Sequence, residues 1–152
     1  MKVLCAFAIL PVILFSLFSC SSEPSAYDML SDFSELFGFD AVIYSPRVKE
    51  GEDGYVTKRF FSDVYVFHGA PPENYAVILN SRTEAFSECG VFYSDNAAEL
   101  NSLEEMCNER IDALGAADRA VVIRAGGFVF YSTLSDTERV SDLWGMIIRS
   151  YT

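Results

Sequence analysis

The sequence predicts one α+β domain, with antiparallel hairpins packed by helices, behind an N-terminal targeting segment. Three observations carry this reading. Short apolar runs alternate with amphipathic stretches in the order helix, uncertain middle, β-β-α-β-β-α. One pair of those runs flanks a Gly-Gly turn. About 130 residues remain after the apolar leader, enough for one core that needs neither metal nor disulfide. Two hairpins with helices laid on one face make a two-layer domain the economical arrangement.

Each element has its own warrant. From Ser25 to Phe37, Met29, Leu30, Phe33, Leu36 and Phe37 share one helical face, and Gly38 is a natural stop. Ala41 to Tyr44 is short and apolar, as in a strand. Pro46 to Gly54, "PRVKEGEDG", has loop composition. From Tyr55 to His68, Phe60, Phe61, Val64 and Tyr65 fit helical spacing, although "VYVF" alone suits a strand; the stretch is read as helix, with a turn at Gly69 to Pro72. "YAVIL" (Tyr75 to Leu79) and "AFSECGVFY" (Ala85 to Tyr93) are strands joined by "NSRTE". Gly90 marks a bulge or a close packing point. Asn96 to Leu114 is a helix with Leu100, Leu103, Cys107, Ile111 and Leu114 on one stripe, Asp95 as N-cap and Gly115 as stop. "RAVVIR" and "FVFYS" flank Gly126-Gly127 as a hairpin. Asp136 to Ser150 is a closing helix with Val140, Leu143, Trp144, Ile147 and Ile148 on one face.

The first nineteen residues read as a leader. Met1 and Lys2 form a minimal positive start, and Val3 to Phe18 is apolar except for Ser16. The run is short for a spanning helix, which needs about 20 residues, and Pro11 interrupts it. Leu17-Phe18-Ser19-Cys20 resembles the bacterial lipobox, with an aliphatic residue three before the cysteine and a small residue just before it. Phe18 departs from the pattern, whose middle position is usually small. A cysteine sulfur can carry a diacylglyceryl group as a stable thioether, and two chains give lasting attachment. The division expected is residues 1–19 as signal peptide, 20–26 as lipidated Cys20 with a short polar tether, and 27–152 as the domain. Two other fates fit the same run: secretion with cleavage near Ser22 or Ala26, and an uncleaved anchor.

Charge narrows the partners. Asp and Glu number 22 against 11 Lys and Arg, for a net charge of −11. No basic stripe exists to neutralise phosphates, so nucleic acid is excluded as a partner. Polyanions are repelled, and a basic protein or a small ligand is favoured. Membrane attachment must then come from a diacylglyceryl anchor on Cys20 rather than from charge.

In the second half, "YAVILNS", "ECGVF", "EEMCNERID" and "AVVIRAGGFVFYSTLSD" with its closing helix resemble a family of unknown function. Its members are mostly small lipoprotein-type sequences of Gram-positive bacteria. The similarity runs from about Tyr75 to the C-terminus, plus the leader. The resemblance implies a protein anchored outside the cytoplasmic membrane and implies no catalytic residues.

The chemistry-bearing side chains have plain readings. Cys89 and Cys107 are the only cysteines after Cys20; outside the cytoplasm they could form a disulfide, or remain two buried thiols. His68, the only histidine, reads as a surface or packing residue beside a Gly-Ala-Pro-Pro turn. Glu50, Glu52 and Asp53 lack the spacing of a calcium loop and read as solvated. Glu104, Glu105 and Glu109 form the wet side of a helix, with Arg110 easing their repulsion. Phe60, Phe61, Phe128, Phe130 and Trp144 read as core. No nucleophile-elbow, phosphate-loop or metalloprotease motif occurs, so no catalytic, metal or cofactor site is assigned. The expected function is a lipid-anchored, non-catalytic module on the outer face of the cytoplasmic membrane. The alternatives are an envelope hydrolase acting on wall material, which requires a pocket gathering carboxylates among exposed aromatics, and an unanchored secreted domain.

Overall fold

The computed structural model describes residues 24–38, 40–79 and 87–151. The leader, Cys20, the predicted "NSRTE" connection and the first two residues of the predicted second strand lie outside the described residues. Four helices and five strands follow in chain order: α1 (Ala26–Phe37), β1 (Ile43–Tyr44), α2 (Phe60–Val64), β2 (Tyr75–Ile78), β3 (Cys89–Tyr93), α3 (Ala97–Ala113), β4 (Val121–Ala125), β5 (Phe128–Ser132) and α4 (Thr137–Tyr151). The strands form one antiparallel sheet in the order β1-β2-β3-β5-β4. The predicted α+β class is the observed one. Among the described residues no helix is long and apolar enough to cross a membrane.

The layering differs from expectation. Helices cover both faces of the sheet, giving three layers rather than two. On one face Met29, Leu30 and Phe33 of α1 and Val140, Trp144 and Ile147 of α4 pack on Ala76, Ile78, Val91, Phe128 and Phe130. Trp144 lies flat on Phe130, with ring centroids 4.3 Å apart, and Phe33 meets the same ring at 5.1 Å. On the other face Phe61 of α2 and Leu103, Met106, Cys107 and Ile111 of α3 pack on Tyr75, Val77, Phe92, Val129 and Tyr131. Alternate side chains of one strand therefore enter two cores. This is why β2 and β5 read as unbroken apolar runs instead of apolar-polar alternations.

Local chemistry sets the element ends. Ser25 caps α1, its Oγ accepting from the Asp28 amide at 3.3 Å. The cap of α3 is Asn96, not Asp95: Asn96 Oδ1 accepts from Ala98 N at 2.8 Å and Glu99 N at 3.3 Å. The β4–β5 hairpin turns on Gly126 and Gly127 at φ 57° and 79°, as a two-residue turn of positive φ demands. Gly90 is a close packing point, since a Cβ there would lie 2.4 Å from the Tyr131 ring.

The predicted 55–68 helix shrinks to Phe60–Val64. Tyr55 instead forms an isolated bridge with Ser45. Tyr65 turns extended, at φ −119° and ψ 143°, and its hydroxyl meets that of Tyr131 at 2.9 Å. Tertiary contacts override helical spacing on both sides of the short turn.

Candidate functional site

A cleft of about 660 Å³ opens where α1 begins, beside the Ser45–Arg47 turn and the segment leading into β2. Three local devices shape it. Asn74 clamps the start of the fold: its Oδ1 accepts from Ala26 N at 2.9 Å, and its Nδ2 donates to the Pro24 carbonyl at 3.0 Å. Ser45 Oγ donates to the Tyr75 carbonyl at 2.7 Å and accepts from Arg47 N at 3.3 Å, which aims Arg47 across the opening. Arg47 Nη1 then bonds Asp28 Oδ2 at 2.6 Å and also Ser25 Oγ. Ala26 is fully buried, so the fold reaches back to Pro24 and the segment 20–26 is not tether throughout.

Glu73, Tyr27, Tyr75 and Tyr151 complete the wall. Tyr151 donates its hydroxyl to Asp32 Oδ2 at 2.8 Å; burial and then that carboxylate push its pKa up to about 12. Burial pushes Tyr75 up to about 12 as well. At neutral pH both phenols are neutral donors. The cleft therefore presents an Arg–Asp pair and a second carboxylate, beside the committed Asn74 amide and Tyr151 hydroxyl, in a volume that suits a small ligand. Asp28 is engaged by Arg47 and half exposed, so the pair is a polar wall rather than an isolated acid.

A second polar cluster is buried inside the α3 face. Glu88, immediately before β3, is 3% exposed and takes a bidentate pair from Arg110, Nη2 to Oε1 at 2.6 Å and Nε to Oε2 at 2.9 Å. Tyr131 donates to Glu88 Oε2 at 3.3 Å, and Arg110 Nη1 donates to the Val64 carbonyl at 3.2 Å. Arg110 thus leaves the exposed acids of α3, contrary to the reading that it eases Glu105 and Glu109. The bond to Glu88 holds its pKa above the usual value. Burial raises Tyr65 and Tyr131 well above the ordinary phenol range. Every member is committed to another, so the cluster fastens α2, β3, α3 and β5 together.

The disulfide expected as one option for Cys89 and Cys107 does not form. Cys89 belongs to the α1/α4 core and Cys107 to the α2/α3 core, on opposite faces of the sheet. Both are buried thiols. Cys89 Sγ contacts Ser132 Oγ at 3.3 Å, and burial pushes the Cys107 thiol up, away from nucleophilic thiolate. His68 is exposed on the loop after α2, and Glu50, Glu52 and Asp53 are exposed in turns. Glu105 and Glu109 are exposed, while Glu104 lies 3.8 Å from Arg124. Among the described residues no group of three or more His, Cys, Asp or Glu could hold a metal ion.

Asn74 and Arg47 escaped the sequence reading because a loop Asn or Arg gives no sign of a partner tens of residues away. Arg110 did leave a sign. It sits beside Cys107 and Ile111 on the apolar stripe, where a charge needs a buried partner. No protein-family model matches the chain, and neither a curated protein nor a solved structure does.

Proposed function

We propose that the protein is a lipid-anchored, extracytoplasmic binding module, held to the outer face of the cytoplasmic membrane through Cys20. Its cleft at the start of α1 would take a small polar ligand. One observation carries the reading: Pro24, pinned by Asn74, follows Cys20 by only four residues. A chain of that length spans at most about 14 Å. An acylated Cys20 would then hold the cleft end of the domain at the lipid headgroups, without help from a surface charge of the wrong sign for anionic lipid. Cell fractionation tests it. The wild-type chain is expected in the membrane fraction and Cys20→Ser in the soluble fraction, as precursor. Equal partition of the two would overturn the anchor.

A second reading, an envelope hydrolase, has one observation in its favour: the cleft gathers Asp28 and Glu73 among tyrosines. It requires turnover of wall fragments that is lost in Glu73→Gln. The Arg47–Asp28 pair, which commits one of the two carboxylates, favours binding over turnover.

A further inference from the structure

We propose that the groove between α1 and α4 receives a basic amphipathic helix from a partner protein. This names a partner class for the binding module proposed above, on a groove that borders the cleft, with Ser150 lining both. Four large hydrophobic side chains are exposed among the described residues: Leu36, Tyr55, Val66 and Met146. Single exposed hydrophobics need no explanation. Two of these four, however, share one groove of about 340 Å³, with buried Ile147 as its floor. Leu36, near the end of α1, is 50% exposed, and Met146 of α4 is 54% exposed.

The two helices run antiparallel. Arg139 at the start of α4 bonds the Leu36 and Phe37 carbonyls that end α1, while Tyr151 at the end of α4 reaches back to Asp32. The groove lies along the last turns of α4, from Met146 to Ser150, and a second hollow lies along its first turns, from Asp136 to Leu143. The 15 residues of α4 extend about 22 Å, a span that a helix of roughly four turns covers, anchoring through side chains at i, i+3, i+4 and i+7.

Charge decides the occupant. Asp32 and Glu35 line the apolar part of the groove. Asp136, Glu138 and Asp142 line the second hollow, at the start of α4. Glu35, Glu138 and Asp142 meet no cation among the described residues. The one cation in the hollow, Arg139, is committed to two carbonyls and lies 4.5 Å over the Phe37 ring. An apolar floor with an acidic rim, on a chain of net charge −11, complements a helix with an apolar stripe and Lys or Arg on its flanks. It repels acidic helices and anionic lipid.

The test uses the full, membrane-extracted protein in neutral-lipid nanodiscs, with empty discs as blank. Two labelled 15-residue helical peptides share one leucine stripe and carry either lysine or glutamate flanks, and fluorescence anisotropy reads binding. The lysine peptide is expected to bind in the micromolar range, to weaken at least tenfold in half-molar salt, and to lose at least tenfold with Leu36→Asp/Met146→Asp. Glu35→Lys/Asp142→Lys should reverse the preference toward the glutamate peptide. Equal binding of both peptides, binding insensitive to the apolar double variant, or binding to empty discs alone would overturn the proposal. So would a concentration-dependent dimer abolished by Leu36→Asp, since the occupant would then be a second copy. Loss of peptide binding with Cys20 acylated removes only the partner class. An unacylated chain that still binds removes only the anchor.

Discussion

Replacing Arg110 with Met should unfold this domain more readily than any surface change on the same helix. Glu88 keeps its carboxylate at 3% exposure, with two of its bonds from Arg110 and one from Tyr131. Without the guanidinium, the charge stays buried with a single phenol to face it. Removing one partner of a buried pair costs about 3–5 kcal/mol. Arg110 retains 24% side-chain exposure, so water reaches the vacated space, and the low end, about 3 kcal/mol, applies. For a domain of this size that lowers Tm by roughly 10 °C. Glu88→Leu/Arg110→Met removes both charges and should lose less than Arg110→Met alone, because no unpaired charge is left inside. Urea unfolding followed by circular dichroism, at constant m, gives the cycle. A loss under 1 kcal/mol for Arg110→Met, or a double variant equal to the sum of the singles, would refute the account of a buried, mutually dependent pair.

The packing and caps of the domain set four further outcomes. Gly90→Ala should cost about 1–3 kcal/mol, since the Tyr131 ring it would meet is stacked on Phe92 and tied to Tyr65 and Glu88; thermal melts at or above wild type would contradict this. Asn96→Ala should lose about 1 kcal/mol and Asp95→Ala less than about 0.5, and the reverse order would move the α3 cap. Tyr65, Tyr75, Tyr131 and Tyr151 all have raised pKa values. Above pH 10 the unfolded chain therefore binds fewer protons than the folded one, and stability present below pH 10 falls as pH rises through 10 towards 12 and beyond. Absorbance titration near 295 nm should show Tyr65 and Tyr131 ionising only with unfolding; reversible titration of all eight tyrosines in the folded protein would refute their burial. Finally, Cys89 and Cys107 should ignore a thiol reagent in the native state and both react in denaturant without prior reduction.

The sequence made the α+β class readable because apolar periodicity changes cleanly between segments. Strand and helix positions follow Leu100 to Leu114, Val121 to Ser132 and Val140 to Ile148 closely. The number of layers was present too, in the four consecutive buried residues of β2 and the five of β5. Strands without a polar side require cover on both faces. Tyr55 to His68 was opaque for a different reason. Its five-residue helix lacks a side-chain cap, and Tyr65 is held by partners on β5 that no local pattern announces. Of the candidate site, the aromatic residues were visible as residue types. The Asn74 clamp and the Ser45–Arg47 turn depend on pairings 19 to 50 residues apart, which a single sequence does not encode legibly.

The intact mass of the protein extracted from native membranes decides whether Cys20 is the anchor. The expected chain begins at Cys20 and carries two or three acyl chains. A chain beginning near Ser22 or Ala26 without lipid would contradict it and leave the domain secreted and unanchored.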